Sequence, residues 1–382
     1  MRIFIKNLFL FLLPLGIFFA PAFIVFFVSG EFTPIASIGV LSRDTDRIVV
    51  GQIYNNFRDR YQLQETFIRH PEIISLGSSR VGEFHSEFLK NPNSFYNASG
   101  SIGSLSGFTD FIKHLPQPPQ IIIAGMDQYF FNPENAKNNT VTRPDPFTVS
   151  VQAYDPFFES FFRNGGWWKI YADYFLGKFT LADIFVSPLN ASMTIGLNAR
   201  INGSGFTNDG SNYDNVIRYP SKIFQGIDVL AGSITDTNGD EYGSGISTDA
   251  LAELRVFLTS AKSKNITVIG FLPPISHKEY QALKQHPNAI YAYAFKNLGT
   301  TLSAVYKEYG FDFYDFSDIS SFESSDDEMI ESKHGSGKMY LRLFIKIAEN
   351  NASLRPFVDL PALGKKLASA TSTYDVAGIA GK

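Results

Sequence analysis

"EIISLGSSRV", residues 72–81, is an apolar run that stops at a glycine and continues into two hydroxyls and an arginine. Residues 73–76 read as a short strand with both faces buried. Gly77 lets the chain turn sharply, so a serine just beyond it falls at the start of the next element. Residues 81–89 carry helical spacing, and the stretch therefore predicts strand, turn and helix.

The same punctuation recurs further along. "QIIIA", 120–124, ends at Gly125, and "ITVIGFL", 266–272, ends at Pro273-Pro274. A helical period over 248–263 precedes the latter. Residues 311–314 form a weaker fourth strand, and 335–349 read as a helix. Strands separated by helical patterns predict an α/β fold, a parallel sheet flanked by helices on both faces.

The chain has 382 residues, 44% hydrophobic and 18% charged, which is enough for a sizeable core. Its net charge of −4 comes without a basic stripe, so no nucleic-acid partner is expected. It contains no cysteine, which excludes disulfides, thiolate metal sites and a cysteine nucleophile.

Residues 8–28 contain no charged side chain, with Arg2 and Lys6 before them and Glu31 after. About 20 apolar residues cross a bilayer as helix. The flanking charges predict a single-pass transmembrane anchor over 1–30, N-terminus in the cytoplasm and main domain outside the cytoplasmic membrane. A cleaved signal peptide is the rival reading, with Ala20-Pro21-Ala22 as a faint cleavage site, but the apolar run is long for one.

Residues 31–65 read as a membrane-proximal stalk with some helix. The α/β domain is expected over 66–135 and 247–355. Residues 136–246, rich in Asn, Gly, Asp and aromatics, break the alternation and read as a long insertion with helices near 155–187. Residues 356–382 are expected to be a tail without order.

Ligands of open parallel sheets sit outside the carboxyl ends of the strands. Three strand ends carry Gly77-Ser78-Ser79, Gly125-Met126-Asp127 and Pro273-Pro274. Ser78 and Ser79 have two readings. One is a helix cap. The other is a nucleophile whose backbone N–H points where its hydroxyl does. "MIESKHGSGKMYLRL", 329–343, sets Glu331 three residues before His334 and so offers both a base and an acid to orient it.

These blocks, with the glycine-rich turn "NASGSIG" (97–103), occur in the order of the SGNH (GDSL-type) hydrolase superfamily, and the chain resembles its members. The nearest in kind are membrane-anchored, extracytoplasmic proteins: the D-alanyl transfer protein of lipoteichoic acid synthesis and accessory proteins of polysaccharide O-acetylation. The resemblance covers roughly 70–135 and 248–350. It implies an SGNH, flavodoxin-like three-layer fold. Ser79 aligns with the nucleophile, His334 with the base and Glu331 with the acid, normally Asp. Ser78 takes the place of the usual aspartate. Ser79, Gly100 and Asp127 align with the oxyanion donors. Asp127 departs from the usual Asn, and an ionised carboxylate there would repel an oxyanion.

The resemblance thus implies a serine acyltransferase or esterase acting on a cell-envelope or exported polysaccharide, needing no metal or organic cofactor. A multi-span membrane O-acyltransferase would be its partner. The alternative is a non-catalytic glycan-binding or scaffold protein in such a complex.

Other residues carry weaker signals. Arg80 either binds an anionic substrate group or pairs with Asp127. His85, His70, His114, His277 and His286 are expected at the surface. Trp167, Trp168, Tyr171 and Tyr174 fit packing of the insertion, a sugar platform or a membrane surface. "DTNGDEYGSGIS", from Asp236, begins like a calcium loop but lacks its glycine and closing glutamate.

Overall fold

The runs at 73–76, 120–124 and 266–272 become the centre of a five-stranded sheet. The computed structural model describes residues 1–54, 58–133, 157–185, 191–213, 245–285, 297–373 and 376. Its strands are β1 (Ile48–Val50), β2 (Ile73–Gly77), β3 (Phe95–Ser99), β4 (Ile121–Gly125), β5 (Met193–Ile195), β6 (Gly205–Thr207), β7 (Asn212–Tyr213), β8 (Thr267–Leu272) and β9 (Asp312–Asp315). The larger sheet has the order β3-β2-β4-β8-β9, with every pairing parallel. The predicted α/β class with helices on both faces is what forms.

Strand side chains alternate between the two faces. Ile74, Leu76, Ile122 and Val268 pack against helices Leu105–His114, Thr248–Ser263 and Leu298–Tyr309, which bury Phe108, Leu254, Phe257 and Leu302. Ile73, Ile121, Ile123 and Ile269 turn the other way, towards Met339, Leu343, Phe344 and Ile347 of helix Gly337–Asn350. Each such side chain taken from water contributes about 1.5–3 kcal/mol. The two faces of this sheet therefore dominate the stability of the α/β unit.

Three local readings are corrected. The 81–89 segment forms two short 3₁₀ turns, Ser79–Val81 and Ser86–Phe88, and no helix. The buried Asn97 Nδ2 donates to the carbonyls of Val81, Gly82 and Phe84 at 3.0, 3.1 and 2.9 Å, the acceptors a helix would use for itself. The second correction is β3, an edge strand that the sequence reading left as part of a turn. The third is the C-terminal segment, where residues Leu360–Ser369 form a helix capped by Asp359, with Leu363 buried. Its apolar positions 360, 363 and 367 share one face.

The remaining strands make a second sheet of order β5-β1-β6-β7. Residues 31–65, expected as a stalk, supply helices Ile35–Asp44 and Arg58–Arg69 and the strand β1. Strand β1 pairs in parallel with β5 and antiparallel with β6. The two sheets meet where Asn212 N donates to Gly82 O at 2.7 Å. A Cβ on Gly82 would lie 2.0 Å from Asn212 Nδ2, so a larger residue here would displace the Asn212 amide. Residues 157–185 contain helical elements, including Gly166–Phe175 and Leu181–Phe185. The start of the calcium-like segment, 236–244, and His286 lie outside the described residues.

Helix Arg2–Ser29 is long and apolar enough to span a membrane, and it is mostly exposed. It runs through Pro14 and Pro21 and stops at Gly30, whose φ of 86° is a left-handed helix terminus. Glu31 follows immediately and is fully buried.

Candidate active site

The order β3-β2-β4 places β2 where the sheet's winding reverses, the crevice that parallel sheets use for ligands. The turn after β2 opens into this crevice. Ser78 Oγ accepts from Arg80 N at 3.2 Å and so acts as the cap. Ser79 leads the 3₁₀ turn and is exposed between the buried Ser78 and Arg80. The cap reading is thus realised in Ser78, and Ser79 is left open to the crevice.

His334 reaches the same place from the other end of the chain. Ser79 Oγ lies 3.0 Å from His334 Nε2, across 255 residues. His334 Nδ1 is hydrogen-bonded to Glu331 Oε1. The tautomer protonated on Nδ1 satisfies both contacts: the ring donates to Glu331 and accepts from Ser79. The loop that carries the pair is tight, with Ile330 N donating to His334 O at 2.8 Å. Its link to the end of β8 is Ser276 N, which donates to Ser332 O at 2.8 Å. Burial opposes ionisation of Glu331, but the His334 hydrogen bond and charge, the Lys333 N–H and the Arg80 charge together outweigh it. The carboxyl stays below its ordinary range.

Arg80 fastens these pieces together. Its Nε donates to Lys333 O at 3.2 Å and its Nη1 to Asp127 Oδ1 at 3.0 Å and Gln128 Oε1 at 2.7 Å. Its Nη2 donates to Pro273 O at 3.0 Å and Pro274 O at 2.7 Å. One buried guanidinium therefore joins the Ser79 turn, the ends of β4 and β8 and the His334 loop. Of the two readings of Arg80, the pairing with Asp127 is the one that forms, and the contacts of the Arg80 and Ser78 side chains are with the scaffold.

Two of the three expected oxyanion donors are corrected as well. Gly100 N donates to Gly77 O at 2.9 Å and is committed there. Asp127 is fully buried against Arg80. Burial pushes its carboxyl up, against the opposing pull of Arg80 and a hydrogen bond from Ser78. The Ser79 N–H remains, at the first position of a turn, where backbone donors have no partner within the turn.

A cavity of ≈ 500 Å³ opens over the Ser79–His334 pair, with Glu331 also in its wall. The second sheet and the segments flanking it form much of the rest, through Phe206 and Asn212 in its strands and Gln52 and Asn198 beside them, and Arg58 adds a guanidinium. Arg58 Nη2 donates to Ser99 Oγ at 2.8 Å, beside the end of β3. No local pattern marks these residues; they meet through the pairing of β1 with β5 and β6.

His85 is buried, against the surface position expected. Its Nδ1 lies 2.8 Å from Ser211 Oγ, and Ser211 in turn donates to Asp209 Oδ1 at 2.6 Å. Burial disfavours the charged imidazole, but Glu83, Asp209 and Glu87 hold it above its ordinary range. Ser211 is fully buried, so this second serine–histidine pair is a fastening between the two sheets. His70 and His114 are exposed, and half-buried His277 sits 2.9 Å from Asp318.

Neither a scan against protein-family models nor a search of curated proteins finds a match to this chain.

Proposed function

We propose that the chain is a membrane-anchored serine acyltransferase or esterase. Its N-terminus would lie in the cytoplasm and its α/β domain outside the cytoplasmic membrane, acting on a cell-envelope or exported polysaccharide. The observation that carries the chemistry is the series Ser79 Oγ, His334, Glu331 at the mouth of a cavity, with 3.0 Å between hydroxyl and imidazole. The resemblance of the strand-end motifs to SGNH hydrolases supports the substrate class.

In this mechanism His334 Nε2 takes the Ser79 proton as Oγ attacks the acyl carbonyl carbon. Glu331 stabilises the imidazolium that forms. The imidazolium returns the proton to the departing oxygen, leaving the acyl group on Ser79. A sugar hydroxyl or water then gives its proton to His334 and attacks the acyl carbon, and the imidazolium returns that proton to Ser79 Oγ as its bond to the acyl carbon breaks. The Ser79 N–H faces the developing oxyanion, and the amides of Asn198 and Asn212 line the same cavity as further donors. The scheme calls on no cofactor. A multi-span O-acyltransferase would deliver the acyl group across the bilayer.

One observation favours a second reading. With Gly100 and Asp127 both committed to structural contacts, the oxyanion hole lacks two donors the resemblance implies. A non-catalytic glycan-binding or scaffold protein would tolerate that loss. The test is labelling of the detergent-purified full chain with a fluorophosphonate, read by intact mass, beside acetyl-ester turnover. One adduct on the unaltered protein, none on Ser79→Ala, is the expected result. An unaltered protein that takes no adduct and turns over no ester leaves only the second reading.

A further inference from the structure

Large exposed hydrophobic side chains gather in two places among the described residues. One is the N-terminal helix; the other is the segment 157–185. Elsewhere only Val40, Ile53, Ile68 and Val256 are exposed, each alone. In the second group Phe175 is 81% exposed and Leu176 72%, and Phe162, Trp168, Leu181 and Phe185 are exposed in the same segment. Scattered apolar exposure is ordinary, but such a concentration in one short segment marks a surface that something covers.

The segment is fixed to the N-terminal helix itself. Tyr171 donates its hydroxyl to the carbonyl of Phe18. The Trp167 ring lies 5.7 Å from Phe18 and 5.2 Å from Phe19, and Phe161 lies 5.3 Å from Phe26. Gly166 presses on Phe26 so closely that a Cβ would lie 2.5 Å from the ring.

Helical rise then decides the depth. The last charge before the apolar run is Lys6, and about 20 residues from there cover the hydrocarbon, which ends near Phe26. Phe18 lies eight positions earlier, about 12 Å inside that boundary at 1.5 Å per residue. A helix that spans the bilayer therefore carries Trp167 and Tyr171 down with it.

We infer that residues 157–185 form a lipid-embedded collar around the emerging helix, seated in the bilayer leaflet on the side of the α/β domain. This rests on reading the helix as a membrane span. Trp167 and Tyr171 follow Phe18 and Phe19 into the hydrocarbon, while the long side chains of the exposed Arg163 and Lys169 can reach anionic headgroups. The collar also holds the cavity close to the membrane. Glu31, at the foot of the helix, accepts from Leu197 N at 2.7 Å and Ile53 N at 3.1 Å, next to the lining residues Gln52 and Asn198.

The only two tryptophans of the chain, Trp167 and Trp168, both lie in the collar, so native fluorescence reads it directly. The full chain is reconstituted into phosphatidylcholine–phosphatidylglycerol vesicles carrying bromine on the acyl chains, near the headgroup or near the chain end. Flotation after alkaline washing reports the anchor. The expected result is flotation with about a twofold loss of emission from chain-end bromine and less from headgroup-proximal bromine, because Phe18 and Phe19 hold Trp167 well inside the hydrocarbon. Trp168→Phe should reduce that quenching, because Trp168 is exposed and Trp167 is shielded by Phe18 and Phe19. Flotation with emission quenched only by aqueous iodide overturns the collar and leaves the anchor, with the patch then belonging to a protein partner. Failure to float overturns both.

Discussion

The Asp127 carboxylate accepts from Arg80 Nη1 at 3.0 Å, with both side chains buried beneath the Ser79 turn. The acid that seemed to threaten an oxyanion is thereby the partner of the residue that holds the site together. Arg80→Met leaves Asp127 buried without its cation, and removing one partner of such a pair costs about 3–5 kcal/mol. Arg80→Met with Asp127→Leu should recover part of that loss. Urea unfolding of the single and double variants measures the coupling. Additive losses would show that the pair is not the link.

Asn97→Ala removes the donor that three carbonyls share; Gly82 O keeps Asn212 N and Val81 O keeps the Ser75 hydroxyl, but Phe84 O loses its donor and Ser99 N its acceptor. At about 1–3 kcal/mol for each buried group left unpaired, the loss should be at least about 2 kcal/mol. Because these carbonyls belong to the residues after Ser79, esterase activity should fall further than the folded fraction does. Activity measured against near-ultraviolet circular dichroism separates the two.

Glu331→Gln keeps the shape of the loop but removes the charge beside His334. The amide can also favour the wrong imidazole tautomer. A decrease in kcat of about 10²–10⁴-fold with little change in KM is expected. Burst kinetics with an activated acetyl ester should show slower acylation and unaltered binding. An unchanged kcat would detach Glu331 from the chemistry.

Glu31 gives the protein a pH dependence. Burial raises its carboxyl from 4.5 to about 7, against the hydrogen bonds of Leu197, Ile53 and Tyr54 N–H. Between those values the unfolded chain has lost the proton that the folded chain keeps. Stability therefore falls as pH rises through the window, by about 3 kcal/mol in all, and levels off above it. Glu31→Gln cannot ionise, so its stability relative to the unaltered protein should climb across the same window. Parallel unfolding midpoints from pH 5 to pH 8 (about the span set by the shift) would show that Glu31 is not the source.

Much of this arrangement was legible in the sequence because it is written in local patterns. Ile73, Ile122 and Ile269 sit in apolar runs that can only be strands buried on both faces. Ser79 and the Glu331–His334 pair stand at element ends, where chemistry-bearing residues are conspicuous. Strand β3 escaped because "FYNAS" is buried by its place at the sheet edge and carries an asparagine whose partners lie 13–16 residues away. His85 escaped for the same reason at longer range, its partner Ser211 being 126 residues distant. The cavity wall was invisible because β1 is a three-residue strand completed by segments far downstream. Contacts of this kind depend on tertiary pairing, and no window of sequence contains both halves.

The span of 255 residues between hydroxyl and imidazole has a consequence for how the protein is made. Under the proposed mechanism, a chain still emerging, or cut short before residue 334, carries its alcohol with no base to ionise it. Reactivity would then arrive only once residue 334 is made and folded against the turn after β2.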